Sequence, residues 1–313
     1  MFMYTDGESK NCIERSLCNC RKRQGRNAMT TNDSSYIYDS ENATEMARLI
    51  NLDRIATASL GGPLNGLPPL PENAHLLDLG CGPGGWVLDV AFMHRDFEVC
   101  GVDISRSMID YANARAQSQG LPNASFGIMD ILKPLDFDDA SFDLVNARFM
   151  SSVLKRDTWP LLIAECMRIL RPNGILRLTE GDDLGISTSP ATERLSALAI
   201  QTSWRLGYGF SPDGRTLGMS AAIVQLLRQA GYCDIHIIPI AVEYSAHTEG
   251  WDDFRRNNEI IYQYLRPAFI SLNLATPEEI ERLRRQALVE TYSDDFTCIA
   301  HVISAWGRSP RAG

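Results

Sequence analysis

The densest chemical signal in the chain is the stretch Leu76, Leu77, Asp78, Leu79, Gly80, Cys81, Gly82, Pro83, Gly84, Gly85 and Trp86. Glycines set this closely after an apolar run let a backbone turn approach a ligand that a side chain would hold off. Gly80, Gly82 and Gly85 also satisfy the G-x-G-x-x-G spacing of a dinucleotide turn, so the glycines alone leave two ligand classes open. Two neighbours separate them. Asp78 puts a carboxylate at the end of the apolar run, which suits a cation better than a pyrophosphate. Pro83 removes one of the amide donors that a phosphate-cradling turn uses. A second acid, Asp103, follows the apolar residues 99–102 about 20 residues beyond the loop, a placement that lets a carboxylate take both hydroxyls of a ribose.

These residues need a scaffold, and the pattern around them describes one. Short apolar runs at 75–79, 98–102, 124–128, 142–146 and 174–179 read as strands, and helical patterns at 86–93, 107–119 and 160–170 lie between them. Strands separated by helices imply parallel pairing with right-handed crossovers. Ahead of them, Met46, Leu49, Ile50 and Ile55 recur at helical spacing over 40–60, and the Gly- and Pro-rich residues 61–72 read as a linker. Past Gly181 the alternation breaks. Residues 190–217 read as a helix and loop outside the sheet, 220–229 as a helix, and 233–242 and 296–306 as strands. Two surface helices are expected at 252–264 and 277–290, the second capped by Thr276 with Glu279 three residues on.

The expected fold is therefore α/β: a doubly wound, mostly parallel seven-stranded sheet with an N-terminal helical extension and helical insertions near the C-terminus. Residues 1–28 are expected to be a disordered tail, 29–70 a helical cap and linker, and 71–308 the main domain. That domain would carry a lid-like segment at 187–217 and a helical insertion at 246–292. Met29, followed by a polar stretch and then an amphipathic one, is a candidate initiator.

The letters D-L-G-C-G-P-G from Asp78 to Gly84 resemble the first motif of the class I, Rossmann-like S-adenosylmethionine-dependent methyltransferases. The resemblance covers most of residues 74–179. It implies S-adenosyl-L-methionine as the cofactor, with Asp78, Gly80, Cys81, Gly82 and Gly84 around its methionine and ribose. Asp103 would bind the ribose and Ile104 would pack on the adenine, ahead of a helix that brings Met108. Met129, Asp130 and Ile131 would follow, with Asp130 similar to the acid that accepts from the adenine amine. Asn146 and Ala147 would complete the cofactor site, and Arg148 would stand at the same carboxyl edge, facing the transferable methyl.

Methyl transfer from a sulfonium is an in-line displacement, so alignment and exclusion of water matter more than a covalent residue. For a hydroxyl acceptor, Glu180 and Asp182, just past the fifth strand, are the candidate bases; Arg148 and Glu180 are the candidate catalytic pair. Trp204, Tyr208 and Phe210, with Tyr36 and Tyr38, form either a lid over the substrate or an aromatic core cluster.

The remaining properties exclude classes of partner. A net charge of -9 argues against nucleic acid, and no apolar run approaches the roughly 20 residues that cross a bilayer. Methylases of nucleobase or glutamine amides carry Asn or Asp followed by Pro-Pro and an aromatic where this chain reads Asn146, Ala147, Arg148 and Phe149, which points to a small-molecule acceptor and leaves protein acceptors open. Eight scattered cysteines without a secretory signal fit the cytoplasm, and the cluster Cys12, Cys18 and Cys20 lacks the partners of a zinc site, so no metal is expected. The rival readings are a nicotinamide-dependent, NAD(P)-binding Rossmann oxidoreductase and a non-catalytic S-adenosylmethionine-binding regulator. Against the first, no Tyr has a Lys four residues later, so the short-chain dehydrogenase relay is absent.

Overall fold

The computed structural model describes residues 43–311. Tyr36, Tyr38, Met29, the expected tail and the Cys12, Cys18 and Cys20 cluster lie outside them. The strands are β1 (His75–Leu79), β2 (Glu98–Asp103), β3 (Ala124–Ile128), β4 (Phe142–Arg148), β5 (Leu170–Gly181), β6 (Ile186–Ser187), β7 (Cys233–Glu243) and β8 (Cys298–Arg308). The helices are α1 (Ala43–Ser59), α2 (Gly85–Met93), α3 (Arg106–Ser118), α4 (Trp159–Ile169), α5 (Pro190–Arg205), α6 (Met219–Gln229), α7 (Trp251–Ser271) and α8 (Pro277–Thr291).

β3, β2, β1, β4 and β5 lie side by side and parallel, and β8 runs antiparallel between β5 and β7. The sheet has eight strands rather than the expected seven, because the two residues of β6 also pair with β8. Such a short bridge has no apolar run to announce it. Parallel strands are covered on both faces, which explains why β1 reads as a continuous apolar run and why Leu76, Leu77 and Leu79 are fully buried. One face packs on α4 and α6 through Trp159, Ile163, Ile223 and Leu227; the other packs on α2 and α3 through Trp86, Val90 and Ile109. Each such side chain taken from water contributes roughly 1.5–3 kcal/mol.

Three helices from the residues after Gly181 make a further layer with its own core. α5, α7 and α8 bury Leu195, Leu198, Ile261, Leu265, Phe269, Ile280 and Leu283 against one another. Ser189 caps α5 by accepting from the Thr192 amide, and Thr276 caps α8 by accepting from the Glu279 amide. α7 runs seven residues past its expected end and through Pro267. The proline forfeits one backbone hydrogen bond there. The helix continues because the buried stripe continues, with Leu265 before the proline and the fully buried Phe269 after it. No helix among the described residues is long and apolar enough to cross a membrane.

Candidate functional site

β1 ends in Asp78 and Leu79, and the chain then turns through Gly80 (φ +64°) and Gly82 (φ +51°), a backbone conformation that L side chains resist. A Cβ on Gly80 would sit 2.8 Å from the Met150 methyl, so a side chain there would displace Met150 as well as strain the turn. Gly84 (φ +81°) sets the first turn of α2, and a Cβ there would strike the Phe126 ring at 2.6 Å. Asp103, at the end of β2, accepts the Gly82 amide on Oδ2 and the Ser105 amide on Oδ1, both at 2.9 Å. The acid and the glycine turn are thereby fixed to each other.

A cavity of about 440 Å³ opens beyond these strand ends. Asp78, Gly80, Cys81, Gly82, Asp103, Ile104, Met108, Met129, Asp130, Ile131 and Arg148 all line it. Such placement, outside the carboxyl ends of parallel strands, is where open α/β sheets bind ligands.

Three polar residues adjacent across β1, β4 and β5 form a buried chain beneath the cavity floor. Arg177 donates from Nε to the Asn146 carbonyl at 2.7 Å, and Asn146 donates from Nδ2 to Asp78 at 2.6 Å. Burial pushes Asp78 up from its ordinary 3.8 to about 6, while Arg148, Asn146 and Arg177 pull it down. Burial likewise pushes Arg177 down to about 9, and its Nη1 and Nη2 have no partner in the structure. Arg148 leaves the β4 edge and reaches α1, donating to Asp53 at 2.5 Å and to Thr57 at 3.1 Å. It therefore ties the N-terminal helix over the site.

The glycine turn has few amides left for a diphosphate. Cys81 donates its N–H to the Val102 carbonyl at 2.9 Å, Gly82 to Asp103 at 2.9 Å and Gly84 to the Cys81 carbonyl at 3.0 Å, and Pro83 has none. With Asp78 behind it, this loop is built for a ligand other than a pyrophosphate. Residues 76–174 match the model of a methyltransferase domain family. The 27-O-demethylrifamycin SV methyltransferase of Amycolatopsis mediterranei is 29% identical over 259 residues, covering 82% of this chain and 81% of the relative. The demethylmenaquinone methyltransferase of Lactococcus lactis is 26% identical, covering 70% and 84%. Among solved structures, the YcgJ protein of Bacillus subtilis superposes with a TM-score of 0.51 at 18% identity, covering 82% of this chain and 99% of that one.

Residues 76–174 form a methyltransferase domain, on the Rossmann-like fold of the class I S-adenosylmethionine-dependent enzymes.

Within this methyltransferase, several expected positions lie elsewhere than in the cavity wall. Gly84, Asn146 and Ala147 stand behind it: Gly84 packs on Phe126 and Ala112, Asn146 carries the polar chain, and Ala147 belongs to the core. Glu180 is fully buried, and its two oxygens accept the amides of Met150 (2.6 Å) and Ser151 (3.1 Å). The expectation of Glu180 as a base facing the acceptor is corrected accordingly: it holds the 150–152 turn, and burial raises it to about 7. Asp182 is occupied too, accepting the Ser220 amide.

The expected lid aromatics are also corrected. Trp204 is covered by the Arg156 guanidinium at 3.9 Å from its centroid, Tyr208 is buried, and Phe210 packs on the main core. Arg156 also donates to the carbonyls of Trp204, Tyr208 and Gly209, so it staples this segment to the body. The residues that do cover the cavity went unread in the sequence: Leu49, Leu52 and Asp53 from α1, and Phe254, Asn258 and Ile261 from α7. Asp53 carried a signal only in hindsight, as an acid amid the apolar positions of a helix ahead of the domain. Asp183 also lines the cavity, but its carboxylate accepts from the Gly185 and His301 amides and from the His301 ring.

Proposed function

We propose that this methyltransferase moves a methyl group to a small-molecule acceptor held between the glycine turn and the α1 and α7 walls. The observation that carries the proposal is the single cavity that begins at Asp78, the glycine turn and Asp103 and continues under α7. S-adenosylmethionine supplies an electrophilic methyl carried on a sulfonium. Its nucleoside suits the turn: the Asp103 carboxylate, fixed by the Gly82 and Ser105 amides at the end of β2, lines the cavity beside the glycine turn, where the ribose hydroxyls would lie. Ile104 and Met129 offer apolar surface for an adenine, with Asp130 beside them as acceptor for its amine. Asp78 supplies negative charge toward the methionine ammonium, and Arg177, through Asn146, favours its ionised form.

The chain's own contribution to transfer is alignment and dryness. Leu49 and Leu52 of α1 and Phe254 and Ile261 of α7 close an apolar cover over the strand edge, which excludes water from the reacting atoms. Neither expected carboxylate, Glu180 nor Asp182, lines the cavity, so the acceptor's nucleophilicity comes from its own chemistry and from positioning. The names of the relatives, a rifamycin and a menaquinone methyltransferase, favour a small organic acceptor. A cytoplasmic setting fits the scattered cysteines.

The test is formation of S-adenosylhomocysteine from S-adenosylmethionine, measured with separate panels of small metabolites, peptides and oligonucleotides. Turnover confined to the small-molecule panel is expected; turnover confined to peptides or oligonucleotides would overturn the proposed acceptor class.

A further inference from the structure

Among the α7 residues that line the cavity, Phe254, Asn258, Ile261 and Leu265 form a stripe spaced four, three and four apart on one face of the helix, with Asp253, Arg256, Asn257 and Ile260 beside it. All four residues of the stripe are buried. Three are apolar, as a helix that only needed to pack would have them. The second is an asparagine, 6% exposed, and its Nδ2 has no hydrogen-bond partner. A buried donor left unmade opposes folding, and a leucine at this position would remove the penalty. Asn258 lines the cavity and its Nδ2 is buried just behind the wall, so a rotation about the soft terminal torsion of the carboxamide would bring the donor to an incoming molecule, the partner it lacks.

The surroundings describe that molecule. One turn before Asn258, the Phe254 ring stacks on Tyr244 with centroids 5.2 Å apart and planes inclined at 26°, and both rings line the cavity. Ile261, Leu265 and, from β8, Val302 continue the apolar surface. Flat aromatic and aliphatic walls favour a planar, carbon-rich guest; of the three asparagines that line the cavity, Asn51 and Asn257 are paired with Asp253 and Arg48, and the unpartnered amide of Asn258 selects a guest with a hydrogen-bonding oxygen at the matching place.

We propose that Asn258 is a specificity-determining residue of the acceptor pocket, and that the acceptor is a planar, largely apolar molecule whose ring-borne carbonyl or hydroxyl oxygen takes the hydrogen bond of the Asn258 carboxamide. The proposal rests on the methyl-transfer reading of the same cavity. It names the class of small molecule that the reading leaves open. An acceptor lacking the oxygen leaves the amide unpaired in a dry pocket, a penalty that enzymes convert into discrimination.

The test is equilibrium binding to the full chain saturated with S-adenosylhomocysteine, using three probes of one shape: 1-naphthol, 1-acetonaphthone and naphthalene. The two oxygen-bearing probes are expected to bind the native protein about tenfold more tightly than naphthalene. Asn258→Leu should abolish that preference while leaving the S-adenosylhomocysteine affinity within about twofold. Asn258→Asp, of the same size but accepting only when ionised, should keep 1-naphthol and reject 1-acetonaphthone, which separates hydrogen bonding from damage to the fold. An equal preference for the oxygen-bearing probes in Asn258→Leu overturns the proposal, as does native protein that binds S-adenosylhomocysteine yet fails to favour those probes. Native protein that does not bind S-adenosylhomocysteine overturns the methyl-transfer reading itself, and the proposal with it.

Discussion

At the scale of single residues, Asp78 and Asp103 do different work with the same carboxylate because their surroundings differ. Asp103 is held by two amides at the cavity edge, whereas Asp78 sits under the floor, 2% exposed, with Asn146 and Arg177 behind it. Asp103→Asn removes the charge and turns one acceptor oxygen into a donor, and is expected to weaken S-adenosylhomocysteine binding about tenfold or more, read by calorimetry. Binding of the cationic nucleoside should also depend on pH. Burial raises Asp78 to about 6, so its charge is present above that pH and lost below it. Affinity is therefore expected to hold from pH 8 to 7 and to fall about tenfold per unit as pH drops below 6. In the ligand-free chain the sign is reversed: an acid whose folded pKa is raised favours the folded state when protonated, so this contribution is complete below about pH 4 and is lost as pH rises through 6. Arg177→Met should move the binding inflection upward, since the buried cation that favours ionised Asp78 is gone; an unmoved inflection would show that Arg177 does not act on Asp78. The glycine turn and both acids were legible in the sequence, because turn chemistry is local. The burial of Glu180 was not, since its partners at Met150 and Ser151 depend on how the chain folds back beyond β4.

At the scale of elements, the helix ahead of the main domain is part of the site. Arg148 on β4 holds Asp53 and Thr57 on α1, and both members of the ion pair are mostly buried. Arg148→Met should release α1, seen as faster amide exchange across residues 43–59 and a stability loss of about 1–3 kcal/mol. Cofactor affinity should weaken with it, because α1 lines the cavity. Unchanged exchange in that helix would mean that its other contacts, among them the Arg48–Asn257 and Asn51–Asp253 hydrogen bonds to α7, hold it without Arg148. The three-helix layer of α5, α7 and α8 depends on its own core, in which Phe269 is fully buried. Phe269→Ala is expected to cost about 3–5 kcal/mol, measured by denaturant unfolding. Strand and helix types were readable from periodicity, and β1 and β3 fall on their expected bounds. The extension of α7 through Pro267 was not readable, because a proline is a local stop signal and the packing of Phe269 that overrides it is tertiary. The role of 204–210 was open for the same reason: aromatic residues suit a lid or a core, and only the position of Arg156 decides.

At the scale of the whole molecule, a sheet common to many chemistries is specialised at its carboxyl edge by what the chain adds before and after it. The sheet supplies the turn and its acids; α1, ahead of β1, and α7, between β7 and β8, supply the cover and the distinctive walls of the cavity. Both helices lie outside the matched residues 76–174, and on the proposed reading they are where acceptor specificity is set. The most direct measurement is calorimetric titration of the purified chain with S-adenosylhomocysteine and, separately, with NAD. A micromolar dissociation constant for the first, abolished or sharply weakened in Asp103→Asn, and no heat from the second, are expected. Retention of NAD by folded protein that ignores S-adenosylhomocysteine at millimolar concentration would contradict the assignment of the glycine turn.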